Sequence, residues 1–169
     1  HALHRPARAG ARRVSLGRCR PRVSATRQAA KGGTALRDQW AAGSTYEDFM
    51  GRWSRRLARQ FVSWLQIPRG VYWLDVGCGT GSLAQAICSH ADPASVVGCD
   101  PAAPLIEFAR KHGRDARASF VNAGIGSLPS RPGGYGSVTS LLALNFFPDF
   151  QTAVHEMRSV AAPHATVSA

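Results

Sequence analysis

The stretch Leu74-Asp75-Val76-Gly77-Cys78-Gly79-Thr80-Gly81 decides the fold of this chain. An apolar, β-prone run precedes it at residues 71–74, and a helix-prone run follows at residues 82–88. This order predicts a strand, a glycine turn and a helix. Glycine suits the turn because a Cβ disfavours the positive φ values that such a reversal requires. We therefore expect a ligand to lie against backbone N–H groups at the N-terminus of the following helix.

A second strand is predicted over residues 95–99, and it ends in Asp100. A carboxylate at the end of the second strand commonly holds the hydroxyls of a ribose. Pro101 then opens a predicted helix that ends before Gly113, so capping that helix is an alternative role for Asp100. A right-handed crossover makes the two strands parallel, which brings Asp75 and Asp100 to the same edge of the sheet.

The remaining elements complete a predicted α/β fold with about five parallel strands and flanking helices. An amphipathic helix is expected within residues 44–67, with its apolar stripe on Trp53, Leu57, Phe61 and Leu65. The third strand is predicted over residues 118–122. The fourth is predicted within residues 135–147, where the apolar run 138–144 indicates a strand buried on both faces.

The last helix is predicted over residues 149–161, with Asp149 as its N-cap. A turn at Pro163-His164-Ala165 is then expected to lead into a fifth strand at residues 166–169. A lone histidine in such a turn is a poor basis for catalysis.

Positive charge is concentrated at one end of this chain, whose net charge is +11. Residues 1–43 hold ten Lys and Arg and one acid, Asp38, which gives +9; residues 44–169 hold eleven and nine, which gives +2. We expect residues 1–43 to be a disordered basic tail and residues 44–169 to form one domain. Organellar targeting, a non-native extension and attraction to polyanions are open alternatives for the tail. The near-neutral domain argues against nucleic acid as the partner.

Cysteine spacing and hydropathy exclude further classes. The cysteines Cys19, Cys78, Cys88 and Cys99 form no C-x-x-C pair and no metal-binding cluster with histidine, so we expect no metal. Buried, reduced thiols indicate a reducing compartment, and the predicted location is cytoplasmic. No apolar run approaches the ~18 residues of a membrane span, and we expect no membrane partner.

The glycines Gly77, Gly79 and Gly81 follow the pattern G-x-G-x-G, which is one residue shorter than the dinucleotide fingerprint. This spacing weighs against a dinucleotide-dependent oxidoreductase. Together with Asp75, the stretch resembles the first motif of class I S-adenosylmethionine-dependent methyltransferases. Residues 46–55 and 144–149 are similar to a small-molecule or ubiquinone-biosynthesis-like branch of that superfamily. The resemblance covers roughly residues 44–169. It implies a Rossmann-like fold, S-adenosyl-L-methionine as cofactor and a small-molecule acceptor.

The resemblance also implies a set of cofactor-site residues, and no catalytic residue is predicted. Tyr46 would be an aromatic lid and Arg52 a cation for the cofactor carboxylate, with an ordinary surface or core role as the alternative for each. Asn145 would face the substrate or cofactor, or would cap a loop. The complete predicted set is Asp75, Gly77, Cys78, Gly79, Gly81, Asp100, Pro101, Tyr46, Arg52 and Asn145.

Four departures from the family pattern favour an alternative function, and one is Pro163-His164-Ala165 in place of the Pro-Gly-Gly turn of relatives. Gly124 stands where relatives commonly carry the acid that meets the adenine amino group, and Gly136 stands where they carry an aspartate. One lost hydrogen bond costs on the order of 1 kcal/mol, which would weaken cofactor binding several-fold to tenfold. We also expect the sheet to lack the final antiparallel hairpin that the resemblance implies. The alternative is a non-catalytic or truncated remnant that binds cofactor weakly or not at all. Its fifth strand would be an exposed edge through which copies could self-associate.

Overall fold

The computed structural model describes residues 51–169, so the predicted basic tail and Tyr46 lie outside the described residues. The elements follow one another in this order: α1 (Arg52–Leu65), β1 (Tyr72–Val76), α2 (Ser82–His90), β2 (Ser95–Asp100), α3 (Ala103–His112), β3 (Ala118–Asn122), β4 (Tyr135–Thr139), a 3-10 helix (Leu144–Phe146), α4 (Phe150–Ser159) and β5 (Ala161–Ser168).

The five strands form one parallel sheet in the order β3-β2-β1-β4-β5. This order confirms the predicted Rossmann-like α/β fold. The chain builds outward from β1 to β3 and then returns to the other side of β1 with β4. Ligands of open α/β sheets bind beyond the carboxyl ends of the strands at such a reversal. The region beyond β1, β2 and β4 is therefore the candidate site.

Each face of the sheet carries its own apolar cluster. Trp73, Val96 and Phe120 are buried on the face covered by α1, α2 and α3. Leu74 and Met157 are buried on the opposite face, which α4 covers. Neighbouring residues of β1 enter different clusters because side chains alternate across a strand. Burial on both faces accounts for the mostly apolar sequence of β1, in which only Tyr72 is exposed.

The buried face of α1 differs from the predicted one. Ser54, Ala58 and Val62 are the buried residues of this helix, whereas Trp53 and Leu57 of the predicted stripe are exposed. α1 packs against α2. Small side chains at the contact let two helices approach closely, so the line of small residues packs and the bulkier stripe turns outward.

The fourth strand ends earlier than the apolar run predicts. β4 stops at Thr139, and the prediction of strand over residues 140–144 is wrong. The backbone leaves the sheet direction at Leu142, which has a φ of 59°, and a 3-10 helix follows at Leu144–Phe146. The apolar side chains beyond Thr139 therefore belong to a loop at the edge of the candidate site.

The predicted turn at Pro163-His164-Ala165 is instead a bulge inside β5. The pairing moves from Tyr135 with Ala161 to Ser137 with Thr166, so β5 uses three residues more than β4 over this interval. His164 has a φ of 64°, which lets the strand absorb the extra length.

Three local predictions, for β3, for the start of α4 and for the cysteines, hold within the described part of the chain. β3 occupies the predicted residues, and the Asp149 carboxylate caps α4 by accepting from the N–H groups of Gln151 and Thr152. Cys78, Cys88 and Cys99 are free and buried. In residues 51–169 no helix is long and apolar enough to cross a membrane. The same residues contain no cluster of three or more side chains able to hold a metal ion.

Phe120 explains why glycine is needed at several separate positions. A Cβ built on Gly81 would lie 2.9 Å from the Phe120 ring, and one on Gly98 would lie 2.8 Å from it. A Cβ on Gly113 would lie 3.0 Å from the same ring. Glycine at the helix start, in β2 and after α3 thus makes room for one buried aromatic side chain of β3.

Gly81→Ala should destabilise the fold more than Gly126→Ala. Both glycines have positive φ, +85° and +93°, but a Cβ on Gly126 meets nothing within 4 Å. Alanine at either site pays about 1–2 kcal/mol for the left-handed backbone. At Gly81 the overlap with Phe120 should add about 1–3 kcal/mol. Urea denaturation of both variants measures the difference, and equal losses would contradict the proposed role of Phe120.

Candidate functional site

The glycine loop between β1 and α2 is closed by its own backbone. The N–H groups of Gly77 and Cys78 both donate to the Cys99 carbonyl, at 2.8 and 3.0 Å, and the Gly81 N–H donates to the Cys78 carbonyl at 2.8 Å. The Gly79 N–H donates to Asp100 at 3.0 Å. β2 and the loop itself therefore already use these four N–H groups. The expectation that a ligand lies against N–H groups at the start of α2 stays a prediction.

Each of the three loop glycines is required for a different structural reason. All have positive φ, but a Cβ on Gly77 would lie 2.5 Å from the Ala143 Cβ, so Gly77 serves close packing. Gly81 faces Phe120. Gly79 alone of the three has nothing within 4 Å of its Cβ position. The open space against backbone in this loop is therefore at Gly79, and a ligand could lie there.

Asp100 joins the end of β2 to the glycine loop. One carboxylate oxygen accepts from the Gly79 N–H at 3.0 Å, and the other accepts from the Ala102 N–H at 2.8 Å, just before α3. Burial raises the pKa of Asp100, and the two N–H groups oppose that rise. The capping alternative foreseen for Asp100 is not realised, because the N-cap of α3 is Ala102 and no side chain caps this helix. Each oxygen keeps a second lone pair, which a ribose hydroxyl could use.

Asp75 is a buried carboxyl group, only 1% exposed, in β1. The Ala84 N–H in the first turn of α2 hydrogen-bonds to it, while its Oδ2 has no partner among the described residues. Burial raises its pKa to about 7, with the Ala84 bond opposing the rise and the nearby Asp100 adding to it. Gly81, the N-cap residue of α2, has no side chain with which to cap the helix. Asp75 takes this role through its hydrogen bond with the Ala84 N–H.

Buried thiols lie beside these two acids. Burial raises the pKa of Cys78 well above its ordinary value and that of Cys99 to about 12, and Asp75 adds to both shifts. Thiolates are the nucleophilic form of cysteine, so neither group is suited to nucleophilic catalysis at neutral pH. Cys78 instead fills space in the loop, where a Cβ on Gly98 would come within 3.0 Å of its sulfur.

Asn145 lies in the 3-10 helix beyond β4, at the wall of an open cavity of about 430 Å³. Phe147 of this wall also reaches the glycine loop, because a Cβ on Gly77 would lie 3.6 Å from its ring. The cavity is lined by Ser140, Leu142, Leu144, Asn145, Phe147, Phe150 and Ala169. A mostly apolar cavity therefore adjoins the glycine loop, and Leu142 enters it from a left-handed backbone that costs energy to hold.

Two further predicted residues are placed by the structure. Arg52 is exposed at the first residue of α1, with its guanidinium carbon 5.7 Å from the centre of the Trp53 ring. Pro101 is exposed beside Asp100, and a Cβ on Gly124 would lie 3.3 Å from its Cβ. Their roles toward a cofactor stay predictions.

The loop after β3 carries Gly124, one of the departures noted in the sequence. The Asn122 side-chain amide donates to the Asp100 carbonyl at 2.9 Å, which leaves its oxygen as the side-chain acceptor near Gly124. Glu156 of α4 accepts from the N–H groups of Gly126 and Leu128 and so fixes this loop. Sequence reasoning missed Glu156, because its contact depends on tertiary packing across 28 residues or more.

The parallel sheet, the glycine loop and the acids at the ends of β1 and β2 together define the fold of class I S-adenosylmethionine-dependent methyltransferases. The sequence pattern of the family described as "Methyltransferase domain" matches residues 74–164. The chain therefore belongs to this methyltransferase domain family.

Relatives and solved structures agree with this assignment. A demethylmenaquinone methyltransferase of Thermus thermophilus is 32% identical over 114 residues, which cover 66% of this chain and 50% of the relative. A provisionally assigned methyltransferase of Haloferax volcanii, solved with the activator Trm112, is similar with a TM-score of 0.68 and 21% identity. This match covers 77% of this chain and 57% of the Haloferax chain.

The plantazolicin methyltransferase BpumL, solved with a monoazolic desmethylPZN analogue and S-adenosylhomocysteine (SAH), is similar with a TM-score of 0.63 and 22% identity. The match covers 79% of this chain and 52% of BpumL. At this identity both structures support the fold alone. The chain spans about half the length of the relative and of each solved structure described.

As the pH rises from about 4 to 7, the free energy of unfolding should fall, and the titration of Asp75 is the cause. The folded-state pKa of about 7 exceeds the ordinary aspartate value of 3.8, so in this window the folded state holds a proton that the unfolded chain has released. The full rise in the pKa corresponds to about 4 kcal/mol of stability. This stability is lost progressively up to pH 7, and the free energy of unfolding does not change further through Asp75 above that pH. Asp75→Asn should remove this loss.

Urea denaturation across this pH range tests the point on the ligand-free protein. Glu107→Gln, which changes an exposed acid of α3, should keep the wild-type slope. If Asp75→Asn also kept that slope, the assignment of the titrating group to Asp75 would be wrong.

Proposed function

We propose that this chain binds S-adenosyl-L-methionine along the carboxyl edge of β1 and β2 and serves methyl transfer to a small-molecule acceptor. One observation carries the proposal. The loop is open at Gly79, and this opening lies beside the carboxylate of Asp100, to which the Gly79 N–H is bonded. A nucleoside needs such a combination, a flat backbone surface next to acceptors for its ribose. Membership of the methyltransferase domain family, and the solved neighbour with SAH, support this cofactor.

Within this proposal Asp100 holds the ribose through lone pairs that its two backbone partners leave free. Because those partners fix the carboxylate, little conformational entropy remains to be lost on binding. Asp75 is a positioning residue, since it is buried and fixes the start of α2 through Ala84. Cys78 and Pro101 flank the site, and Tyr46 and Arg52 are proposed to close over the methionine end.

We further propose that the acceptor is a small, largely apolar molecule in the cavity next to Phe147. The side chains of Leu142, Leu144 and Phe150 supply most of the lining, and Asn145 supplies a hydrogen-bonding amide. The relative named as a demethylmenaquinone methyltransferase supports a small-molecule acceptor. Apolar walls with few polar groups are the usual form of such sites.

The bound cofactor supplies a sulfonium methyl group that is already electrophilic. The protein then has to align the acceptor, hold it at near-attack distance and exclude water. Phe147 is placed for the alignment, because it belongs both to the cavity wall and to the packing around Gly77. Because the cofactor supplies the reactive group and the protein supplies alignment, the reaction needs no catalytic triad.

The alternative of a non-catalytic protein with weak cofactor binding is favoured by one observation. Gly124 offers no side-chain acceptor, and the amide nitrogen of Asn122 is already bonded to Asp100. An adenine amino group needs an acceptor, and the acceptors that remain are the Asn122 side-chain oxygen and backbone carbonyls. Cofactor affinity, measured directly, separates this alternative from an active enzyme.

SAH should stabilise the protein, and NAD should not. At about 100 times its dissociation constant a ligand adds roughly 2.7 kcal/mol, a shift of several degrees for a domain of this size. Asp100→Asn should weaken SAH binding by about tenfold or more, because hydrogen bonds to a charged group contribute about 1.5–3 kcal/mol. Thermal unfolding over a ligand titration measures both effects.

Glu107→Gln is the matched control, because it neutralises an exposed acid of α3 and should leave the SAH shift unchanged. A shift with NAD alone would favour a dinucleotide site. No shift with either ligand, for a protein that unfolds cooperatively, would support the remnant.

Gly124→Asp should strengthen SAH binding several-fold by restoring an acceptor for the adenine amino group. The φ of Gly124 is not positive, and a Cβ there would lie 3.3 Å from the Pro101 Cβ, so Pro101 has to move by a few tenths of an ångström to admit the side chain. Gly124→Ala is the control for bulk alone, and isothermal titration calorimetry compares the two. If both substitutions weakened binding equally, the adenine would not lie next to Gly124.

A further inference from the structure

The outward face of α1 carries large apolar side chains in an aligned stripe. Trp53 is 60% exposed, Trp64 is 73% exposed and Leu57 is 38% exposed. Phe61, which is partly buried, stacks on Trp64 with ring centres 6.2 Å apart. Residues at this spacing share one side of a helix, and the stripe extends about 16 Å along it. Exposed tryptophan on this scale indicates a surface that meets something other than water.

Arginine flanks the stripe, and α1 has no acidic residue. The helix contains Arg52, Arg55, Arg56 and Arg59, so it carries a charge of +4. At 100° per residue, the helical position of Arg56 lies between the tryptophan stripe and the position of Arg59. All four side chains are exposed. The outward face of α1 is therefore half apolar and half cationic, in two strips that run side by side.

Charge decides between the possible occupants of this face. A second copy docked through the same patch would bring two helices of +4 together, because such contacts are self-complementary. The segment 1–43 carries +9 and cannot neutralise the arginines either. An anionic occupant complements this charge, and one that also offers an apolar environment to Trp53, Leu57 and Trp64 fits the whole face. An anionic lipid surface has both properties, in adjacent layers.

We propose that α1 is a membrane-surface helix that docks on anionic lipids. The tryptophans and Leu57 enter the boundary between headgroups and acyl chains, and Arg56 and Arg59 pair with lipid phosphates. Such a helix lies in the interface and needs no spanning segment, so the proposal replaces the sequence-based expectation of no membrane partner. It does not depend on methyl transfer or on the cofactor.

The test uses the full chain with vesicles of phosphatidylcholine, with and without phosphatidylglycerol. Residues 1–43 will contribute charge attraction in every variant, so the comparison among variants decides. Trp53→Ala with Trp64→Ala should lower binding to the mixed vesicles by about tenfold or more. Trp53→Phe with Trp64→Phe should keep most of the binding. Arg56→Gln with Arg59→Gln should also weaken it and should reduce its salt dependence.

Two controls accompany the vesicle test. Phe146→Ala removes an exposed aromatic ring from the 3-10 helix, and Arg114→Gln with Arg158→Gln removes two exposed charges elsewhere; both should bind as the wild type does. Bromine-labelled lipids should quench the wild-type tryptophan fluorescence, and this quenching should largely disappear in the double phenylalanine variant. Circular dichroism confirms that each variant is folded.

Several outcomes would overturn the proposal. Binding that is unchanged by the alanine pair, or that falls equally with Phe146→Ala, would show that the stripe does not enter the lipid. A dimer in analytical ultracentrifugation that the alanine pair dissociates would identify a second copy as the occupant. Tighter binding to single-stranded RNA than to the mixed vesicles, lost with the same pair, would identify base stacking as its role.

Discussion

The Cys99 carbonyl is the acceptor on which the site depends. It takes the N–H groups of two successive residues, Gly77 and Cys78, and the next residue along, Asp100, takes that of Gly79. Three consecutive loop donors are thereby bound to two consecutive residues of β2. This fixes the loop at the carboxyl edge of the sheet, and it leaves the open face at Gly79 as a preformed surface. A site built in this way loses little entropy when it receives a ligand.

Much of the fold could be predicted from sequence because its signals are local. The strand–turn–helix pattern around Gly77 needs only neighbouring residues, and so does the cap that Asp149 provides for α4. The bounds of β3 also follow from its own composition. The placement of Asp75 and Asp100 at one edge followed from the handedness of parallel crossovers, which restricts topology strongly. Their individual partners did not follow from it.

The parts that could not be predicted depend on contacts between distant segments. Residues 138–144 are apolar throughout, but only tertiary packing shows that β4 ends at Thr139 and that the remainder lines a cavity. In α1 two adjacent stripes both have helical period, and packing against α2 buries the stripe of Ser54, Ala58 and Val62. The use of loop N–H groups by Cys99 likewise requires β2 to be in place. The spacing of apolar residues identifies a helix, whereas the element packed against it determines which of its faces is buried.

The irregularity in β5 has a consequence for the outer edge of the sheet. β5 is the outermost of the described strands on its side of the sheet, and an edge strand offers unpaired backbone groups to any other extended chain. Pro163 has no N–H group to offer, and the left-handed His164 turns the backbone out of register. Continuous pairing with an incoming strand is therefore confined to short runs on either side. The same three extra residues that fit β5 to β4 make this edge a poor template for fibril growth.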